Sequence, residues 1–148
     1  MDTRIRRAAV ADLDALVPLF DGYRRFYQQP GDPARAAAFL GERLQRGESV
    51  VLLAERDGTA VGFTQLYPMF SSVRTARTWI LNDLYVGADA RRNGVARALL
   101  DAAAAFARED GAAGLSLETT RGNAPARALY RAAGWHEDDT QWYSLSTP

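Results

Sequence analysis

Apolar side chains in the N-terminal part of the chain recur at helical spacing. After a first strand over residues 3–9, residues 13–20 repeat apolar positions every three to four residues, which predicts an amphipathic helix. Pro18 lacks a backbone donor, so we expect a kink and an irregular segment up to Tyr27. A second helix is predicted between Asp32 as its cap and Gly47 past its end, with a proline in the first turn.

Apolar runs separated by turn residues predict strands in the middle of the chain. Residues 49–55 and 60–67 form a hairpin, because Asp57 and Gly58 supply a tight turn between them. Residues 75–86 form a third long strand in the same run. These three strands follow one another with short connections and are therefore expected to pair antiparallel.

The C-terminal part alternates helices and strands. A helix from about residue 94 to 110 precedes a short strand over 115–119, and a second helix over 123–133 precedes a last strand over 141–146. Glycines end both helices. No internal repeat or low-complexity tail interrupts this order.

The element order is strand, two helices, three strands, helix, strand, helix, and one or two strands. Antiparallel strands followed by one strand–helix–strand crossover predict an α/β (α+β) fold, with a mixed, mostly antiparallel sheet and helices on both faces. The 148 residues fit a single domain, 1–148, that can bury a core without metal or disulfide.

Composition narrows the function classes. Eighteen basic residues balance eighteen acidic ones, which argues against a general nucleic-acid binder. Cysteine is absent, so a cysteine nucleophile and thiolate metal sites are excluded, and a reducing cytoplasm is the expected location. The apolar runs are too short to cross a bilayer, and no signal peptide is recognisable. No metal site is predicted.

The stretch "RRNGVARALL", residues 91–100, is a cationic loop that opens abruptly into a helix. A helix N-terminus presents unpaired backbone N–H groups and partial positive charge, and glycine lets an anion approach them. Small residues at Gly94 and Ala96 leave room for phosphate oxygens, which favours a pyrophosphate ligand. The alternative is a solvated connection. Lysine and the glycine spacing of common mononucleotide and dinucleotide sites are both absent.

The motif Arg91-x-x-Gly94-x-Ala96, after a strand and opening a helix, resembles the Arg/Gln-x-x-Gly-x-Gly/Ala motif of the GNAT superfamily of acyl-coenzyme A dependent N-acetyltransferases. Residues 117–135 are similar to the second characteristic region of that family, in which Asn123 opens a helix. The resemblance spans almost the whole chain. It implies the GNAT fold, acetyl-CoA as cofactor and an N-acetyltransferase activity.

The resemblance also implies how the cofactor is held. Backbone N–H groups of residues 92–97 would bind the pyrophosphate of coenzyme A, and the main chain at Leu84 and Val86 would pair with its pantetheine arm. Asn123 matches a position that contacts the cofactor, and it equally fits a helix cap. The expected cofactor-binding residues are Leu84, Tyr85, Val86, Arg91, Arg92, Asn93, Gly94, Val95, Ala96, Arg97, Asn123 and Tyr130.

Tyr130 matches the family's tyrosine beside the thioester sulfur. A tyrosine with an ordinary pKa of about 10 can protonate a thiolate whose conjugate acid has a pKa of about 8.5. The alternative role for Tyr130 is packing beside Leu129 and Trp135 on the buried side of a helix.

The strand "WILNDLYV" is similar to one in polyamine (diamine) and histone acetyltransferase-like branches, where adjacent glutamate and aspartate precede the "LYV"-type end. Here Asn82 replaces the first of the pair, and an amide cannot accept the proton of an amine. We expect Asn82 to orient amine or water. Asp83 is the nearest ionisable replacement, and it could also hold a cationic substrate or pair with an arginine. Alternation turns the two side chains to opposite faces unless a bulge intervenes.

Tyr23, Phe26 and Tyr27 resemble the region that lines the acceptor site in the family, although their spacing also fits core packing. The activity implied is direct transfer of an acetyl group to a primary amine of a small molecule, polyamine or peptide. Two alternatives stay open: an acetyl-CoA-binding sensor without turnover, and a protein lysine or N-terminal acetyltransferase. A homodimer is expected by analogy with the family.

Overall fold

The computed structural model describes residues 2–148, and its elements follow the predicted order as far as the last helix. Short 3-10 turns lie at Val10–Asp12 and Ala88–Ala90. The strands and helices are β1 (Arg4–Arg7), α1 (Leu13–Phe26), α2 (Pro33–Gln45), β2 (Val50–Arg56), β3 (Thr59–Ser71), β4 (Ala76–Val86), α3 (Val95–Asp110), β5 (Leu115–Ser116) and α4 (Ala124–Ala132).

The five strands form one sheet in the order β1-β2-β3-β4-β5. The first four pair antiparallel, whereas β5 pairs parallel to β4 after the crossover through α3. Asp57 and Gly58 both have positive φ, 50° and 76°, as the predicted tight turn between β2 and β3 requires. The predicted fold class, a mixed and mostly antiparallel sheet, is confirmed.

Helices cover both faces of this sheet. On one face, α1 and α2 pack on β2 and β3, and the Phe20 and Phe63 rings meet edge to face with centroids 6.1 Å apart. On the other face, the Phe106 ring of α3 lies 5.1 Å from that of Trp79, whose indole N–H donates to Asp110 at 2.9 Å. The strand β4 is thus held between two helical layers.

The helix α1 is continuous, so the predicted irregular segment after Pro18 does not form. The missing N–H of Pro18 removes one helical hydrogen bond, but Leu16 and Phe20 on either side of it are buried in the core and hold the helix in place. The second helix begins and ends as predicted: the Asp32 carboxylate accepts from the Arg35 N–H at 3.1 Å, and Gly47 has a φ of 64°.

The chain divides into two compact units, one ending at Glu118 and the other comprising Thr119–Pro148. The single-domain organisation therefore stays a prediction. In the second unit, the Asn123 side chain caps α4 by accepting from the Ala126 N–H at 3.3 Å, and Gly134 follows with a φ of 92°.

The strand predicted over residues 141–146 does not form. Alternation predicts a strand only where one of its faces is buried, and here the consecutive Trp142 and Tyr143 are 74% and 89% exposed. Among residues 2–148, no helix combines the length and the apolar character needed to cross a membrane.

Candidate active site

The strand β4 carries a bulge at Asn82. Its pairing with β3 places Gln65 opposite Asp83 but Leu66 opposite Leu81, so Asn82 is an extra residue between two paired ones. The bulge changes the expected alternation: Asn82 does not point to the opposite face from Asp83, because its side-chain amide donates to the Asp83 carboxylate at 2.8 Å. Asn82 is exposed, whereas Asp83 is only 2% exposed.

The Asp83 carboxylate is held by neutral donors. Its second oxygen accepts from the Gln65 amide at 2.6 Å, and the Gln65 carbonyl accepts from the Ser49 hydroxyl at 2.8 Å. Burial raises the pKa of Asp83, and hydrogen bonds from Asn82, Gln65 and Tyr23 oppose that rise. Within residues 2–148 no salt bridge reaches Asp83, so the arginine pairing considered from the sequence is wrong.

The α1 helix brings Tyr23 to this carboxylate. The Tyr23 hydroxyl donates to the Asn82 backbone carbonyl at 3.2 Å and also interacts with Asp83. Burial and then the Asp83 charge raise the pKa of Tyr23. We call this group, Ser49, Gln65, Asn82, Asp83 and Tyr23, the Asp83 network.

The three residues predicted to line the acceptor site, Tyr23, Phe26 and Tyr27, lie together at the C-terminal end of α1. The Tyr27 ring packs edge to face against Tyr23 and Phe26, with centroids 5.1 and 5.3 Å away. Phe26 and Tyr27 are 56% and 55% exposed, so neither is a core residue, whereas Tyr23 is half-buried. The Asp83 network therefore borders a surface of exposed aromatic rings.

The second half of β4 has an open edge, residues 84–86. Pairing with β5 stops at Ile80, while the Gly87 N–H donates to the Val61 carbonyl on the β3 side at 2.8 Å. Because peptide groups alternate along a strand, those of Leu84 and Val86 point away from β3. The Val86 carbonyl accepts from the Arg91 guanidinium at 2.9 Å. The other outward-pointing peptide N–H and C=O groups of the open edge can form hydrogen bonds with an extended ligand.

Beyond this edge lies the start of α3, which we call the α3 cradle, residues 92–97. The first helical hydrogen bond runs from the Ala98 N–H to the Gly94 carbonyl, and no side chain in the described part of the chain caps the helix. The N–H groups of residues 95–97 therefore have no partner within the helix. Arg92 and Gly94 adopt positive φ, 65° and 78°, and among residues 2–148 no heavy atom beyond Gly94 and its two chain neighbours lies within 4 Å of the position that a Gly94 Cβ would take.

The arginines in and beside the cradle make different contacts. Arg97 pairs with Asp101 at 3.1 Å on the exposed side of α3, and Arg91 lies over the Tyr85 ring, 5.5 Å from its centroid. Arg92 is exposed. Arg56, which the sequence did not indicate, donates to the Asn93 carbonyl at 2.9 Å and fixes the loop before the helix.

Asn123 and Tyr130 belong to the second compact unit. Asn123 serves as the cap of α4, one of its two expected roles. The Tyr130 and Trp135 rings lie 6.4 Å apart at the end of the helix, which agrees with the packing alternative for Tyr130 and leaves its hydroxyl chemistry as a prediction.

The sequence missed two members of the Asp83 network, Ser49 and Gln65. The available signal was a polar residue within the apolar run of β3, since a buried amide requires hydrogen-bond partners. Gln65 is fully buried and opposite Asp83, so its partner could have been sought on the next strand.

The sheet is mixed, and its strand β4 has a bulge and an open edge. The crossover helix α3 starts at a glycine, without a cap from a side chain of the described residues. Together these features define an acyl-coenzyme A dependent N-acetyltransferase. The chain belongs to the Acetyltransferase (GNAT) family, which it matches over residues 16–135. The expected family and enzyme class are thereby confirmed.

Similar proteins agree with this assignment. The chain is 49% identical over 134 residues to YhfO, an uncharacterized N-acetyltransferase of Bacillus subtilis, with 90% of each protein covered. It is 32% identical over 103 residues to an aminoglycoside N(6′)-acetyltransferase type 1 of Klebsiella aerogenes, covering 68% of each. A crystal structure of a probable acetyltransferase superposes with a TM-score of 0.94 at 42% identity, covering 98% of both chains.

Proposed function

We propose that this acetyltransferase moves the acetyl group of acetyl-CoA directly to a primary amine of a small molecule, a polyamine or a peptide. The observation that carries the proposal is the open edge of β4 leading into the α3 cradle. The unpaired N–H groups and the open space above Gly94 suit a pyrophosphate, and the outward peptide groups suit the amide-containing arm of coenzyme A.

The chemistry assigns roles to this chain's residues. Acetyl-CoA supplies the activated acetyl group as a thioester, and the amine must be neutral to attack it. The Asn82 amide orients the amine or a water molecule beside the bulge, and Tyr130 gives a proton to the departing thiolate. Transfer is direct, since the chain has no cysteine that could carry the acetyl group.

The aromatic rings at the end of α1 favour an acceptor molecule that has apolar surface next to its amine. Cationic amines are attracted to the faces of such rings, which include the exposed Phe26 and Tyr27. The aminoglycoside acetyltransferase among the relatives makes a small polyamine-like molecule the first acceptor to test. We further propose a cytoplasmic homodimer as the working form.

The test is release of coenzyme A thiol from acetyl-CoA in the presence of polyamines, amino acids, aminoglycosides and lysine peptides. Release above the rate without acceptor supports the enzyme and names its acceptor class. Silence across the panel, with acetyl-CoA still raising the melting temperature, supports a sensor domain instead. A rate confined to lysine peptides supports a protein acetyltransferase.

Replacing Tyr130 with phenylalanine tests the proton donor. Tyr130→Phe should lower kcat about a hundredfold, the low end of what a positioned acid contributes, with little change in the affinity for acetyl-CoA, because the α3 cradle stays intact. Thiol release gives kcat and titration calorimetry gives the affinity. Unchanged turnover would remove Tyr130 from the mechanism.

A further inference from the structure

We propose that the Asp83 carboxylate fixes the rotation of the Asn82 side-chain amide, so that the amide oxygen Oδ1 faces outward and accepts a hydrogen bond from an N–H of the acceptor amine. The proposal rests on the acetyl transfer to an amine proposed above. It names the atom of Asn82 that meets the acceptor, and it gives Asp83, Gln65 and Ser49 a positioning role that acts through Asn82.

The hydrogen bonds of the carboxylate fix the direction of two amides. One Asp83 oxygen accepts from the Asn82 side-chain nitrogen at 2.8 Å, and the other accepts from the Gln65 side-chain nitrogen at 2.6 Å. Because an ionised carboxylate only accepts, each amide must turn its NH2 group toward Asp83. Such charge-assisted bonds are roughly twice as strong as those between neutral groups. An Asn82 amide turned the other way would lose its bond and place its oxygen against the carboxylate.

The oxygen of the Asn82 amide consequently points away from Asp83. The nitrogen and the oxygen of an amide lie on opposite sides of its carbon, and Asn82 is exposed, whereas Asp83 is only 2% exposed. The Asn82 backbone carbonyl accepts from the Tyr23 hydroxyl at 3.2 Å, and the centroids of the Tyr23 and Tyr27 rings are 5.1 Å apart. Asn82 therefore presents a hydrogen-bond acceptor next to the aromatic surface at the end of α1.

Buried polar side chains hold the carboxylate in its own rotation. Gln65 is fully buried, and its side-chain oxygen accepts from the Ser49 hydroxyl at 2.8 Å, which keeps its NH2 group directed at Asp83. The Asp83 backbone carbonyl accepts from the Thr64 hydroxyl at 2.7 Å, so the main chain at the bulge is held as well. The carboxylate thus has a fixed position against which the Asn82 amide is oriented.

The direction of the Asn82 amide matters because the amine attacks the thioester with the lone pair of its nitrogen. An outward oxygen binds an N–H of the amine and leaves the lone pair free. An outward NH2 group would instead donate to that lone pair and compete with its attack on the acetyl carbon. The fixed amide therefore favours the attacking orientation of the amine over the unproductive one.

The first experiment compares two substitutions of Asn82. The ligand is the aminooxy analogue of the fastest amine of the panel, which is uncharged at neutral pH, so a new charge at residue 82 does not by itself attract it. Titration calorimetry with free coenzyme A present gives its affinity. Asn82→Leu removes the outward oxygen and should weaken binding about tenfold, the loss of one hydrogen bond. Asn82→Asp keeps an outward oxygen and should bind within about threefold of wild type.

Two outcomes of this comparison would overturn the outward oxygen. One is an equal loss of affinity in Asn82→Asp and Asn82→Leu, and the other is a wild-type affinity in Asn82→Leu. Thermal melting checks that both variants are folded. Failure of the proposed function has a different signature, which is a wild-type enzyme that acetylates no amine of the panel.

A double-variant cycle tests whether Asp83 acts through Asn82. Asp83→Leu frees the amide to turn, so only part of the molecules present the oxygen, and the same analogue should bind about threefold more weakly. Asp83→Leu combined with Asn82→Leu should bind no more weakly than Asn82→Leu alone. A further loss in the double variant, or an unchanged affinity in Asp83→Leu, would overturn the positioning role.

NMR of the wild-type protein tests the same contact without a substitution in the buried network. The Asn82 side-chain N–H that donates to Asp83 should exchange with solvent about tenfold or more slowly than those of Asn93, which is also exposed. Addition of the analogue with free coenzyme A should move the signal of the Asn82 side-chain carbonyl carbon, because its oxygen gains a hydrogen bond. Equal exchange rates, or an unmoved carbon signal while the analogue binds, would contradict the proposal.

Discussion

At the scale of single residues, the site depends on how a buried carboxylate is held. Asp83 lies beneath the surface with neutral donors on both oxygens, and the Gln65 amide at 2.6 Å is closer than the Asn82 amide at 2.8 Å. A neutral donor stabilises the anion without forming an ion pair, so the carboxylate keeps its capacity to take up a proton. The identity of residue 65 therefore tunes the pKa of Asp83.

Replacing Gln65 with glutamate should shift the pH dependence upward. The new carboxylate removes a donor and places like charge against Asp83, and both effects raise the pKa of Asp83. As the expected base, Asp83 would act in its ionised form, so the acidic limb of kcat/KM should move to higher pH, and turnover at pH 6 should fall about tenfold or more.

Gln45→Glu is the matched control, since it makes the same substitution at an exposed position of α2. Its pH profile should coincide with that of the wild type. A Gln65→Glu enzyme whose acidic limb stays in place would mean that Asp83 does not titrate in the reaction.

Secondary-structure elements position these residues. The bulge at Asn82 brings two neighbouring side chains into contact that regular alternation would separate. Gly22 on α1 lets the helix approach β4, since a Cβ there would lie 2.8 Å from the Tyr85 hydroxyl. The end of α1, which carries Tyr23, thereby packs close to the bulged strand.

The start of α3 gives a prediction about ligand binding. Gly94→Val places a β-branched residue at a φ of 78° and fills the space above the cradle N–H groups, so acetyl-CoA should bind at least tenfold more weakly. Titration calorimetry measures the affinity and thermal melting measures the accompanying loss of stability.

Gly47→Val separates the two effects. Gly47 ends α2 with a φ of 64° and open space around it, so its substitution introduces similar backbone strain away from the cradle. It should lower the melting temperature and leave acetyl-CoA affinity unchanged. Normal affinity in Gly94→Val would show that the cradle does not bind the cofactor.

Sequence patterns predicted most of these elements because caps, turns and periodicity are local. Asp32, the Asp57–Gly58 turn and Gly111 mark boundaries that the structure confirms. The bulge was not predictable, because it depends on the register between β3 and β4 rather than on either strand alone. The Asp83 network was not predictable either, because its members are widely separated in sequence and meet only where the sheet packs against α1.

At the scale of the whole molecule, the family motif identified the enzyme class, whereas the acceptor depends on side chains that the motif does not include. The helix after Pro18 continued because burial of its apolar face outweighed one lost hydrogen bond. The predicted last strand did not form, because its aromatic residues lie exposed rather than on one buried face. Both differences show tertiary context overriding a local signal.

In the proposed reaction, the acetyl group of acetyl-CoA ends on an amine. The most direct measurement follows free thiol and the mass of the acceptor in the same reaction, with the fastest amine of the panel. We expect one acetyl group on the acceptor nitrogen for each coenzyme A released. Thiol release without an acetylated acceptor, or no reaction while acetyl-CoA binds, would contradict the account.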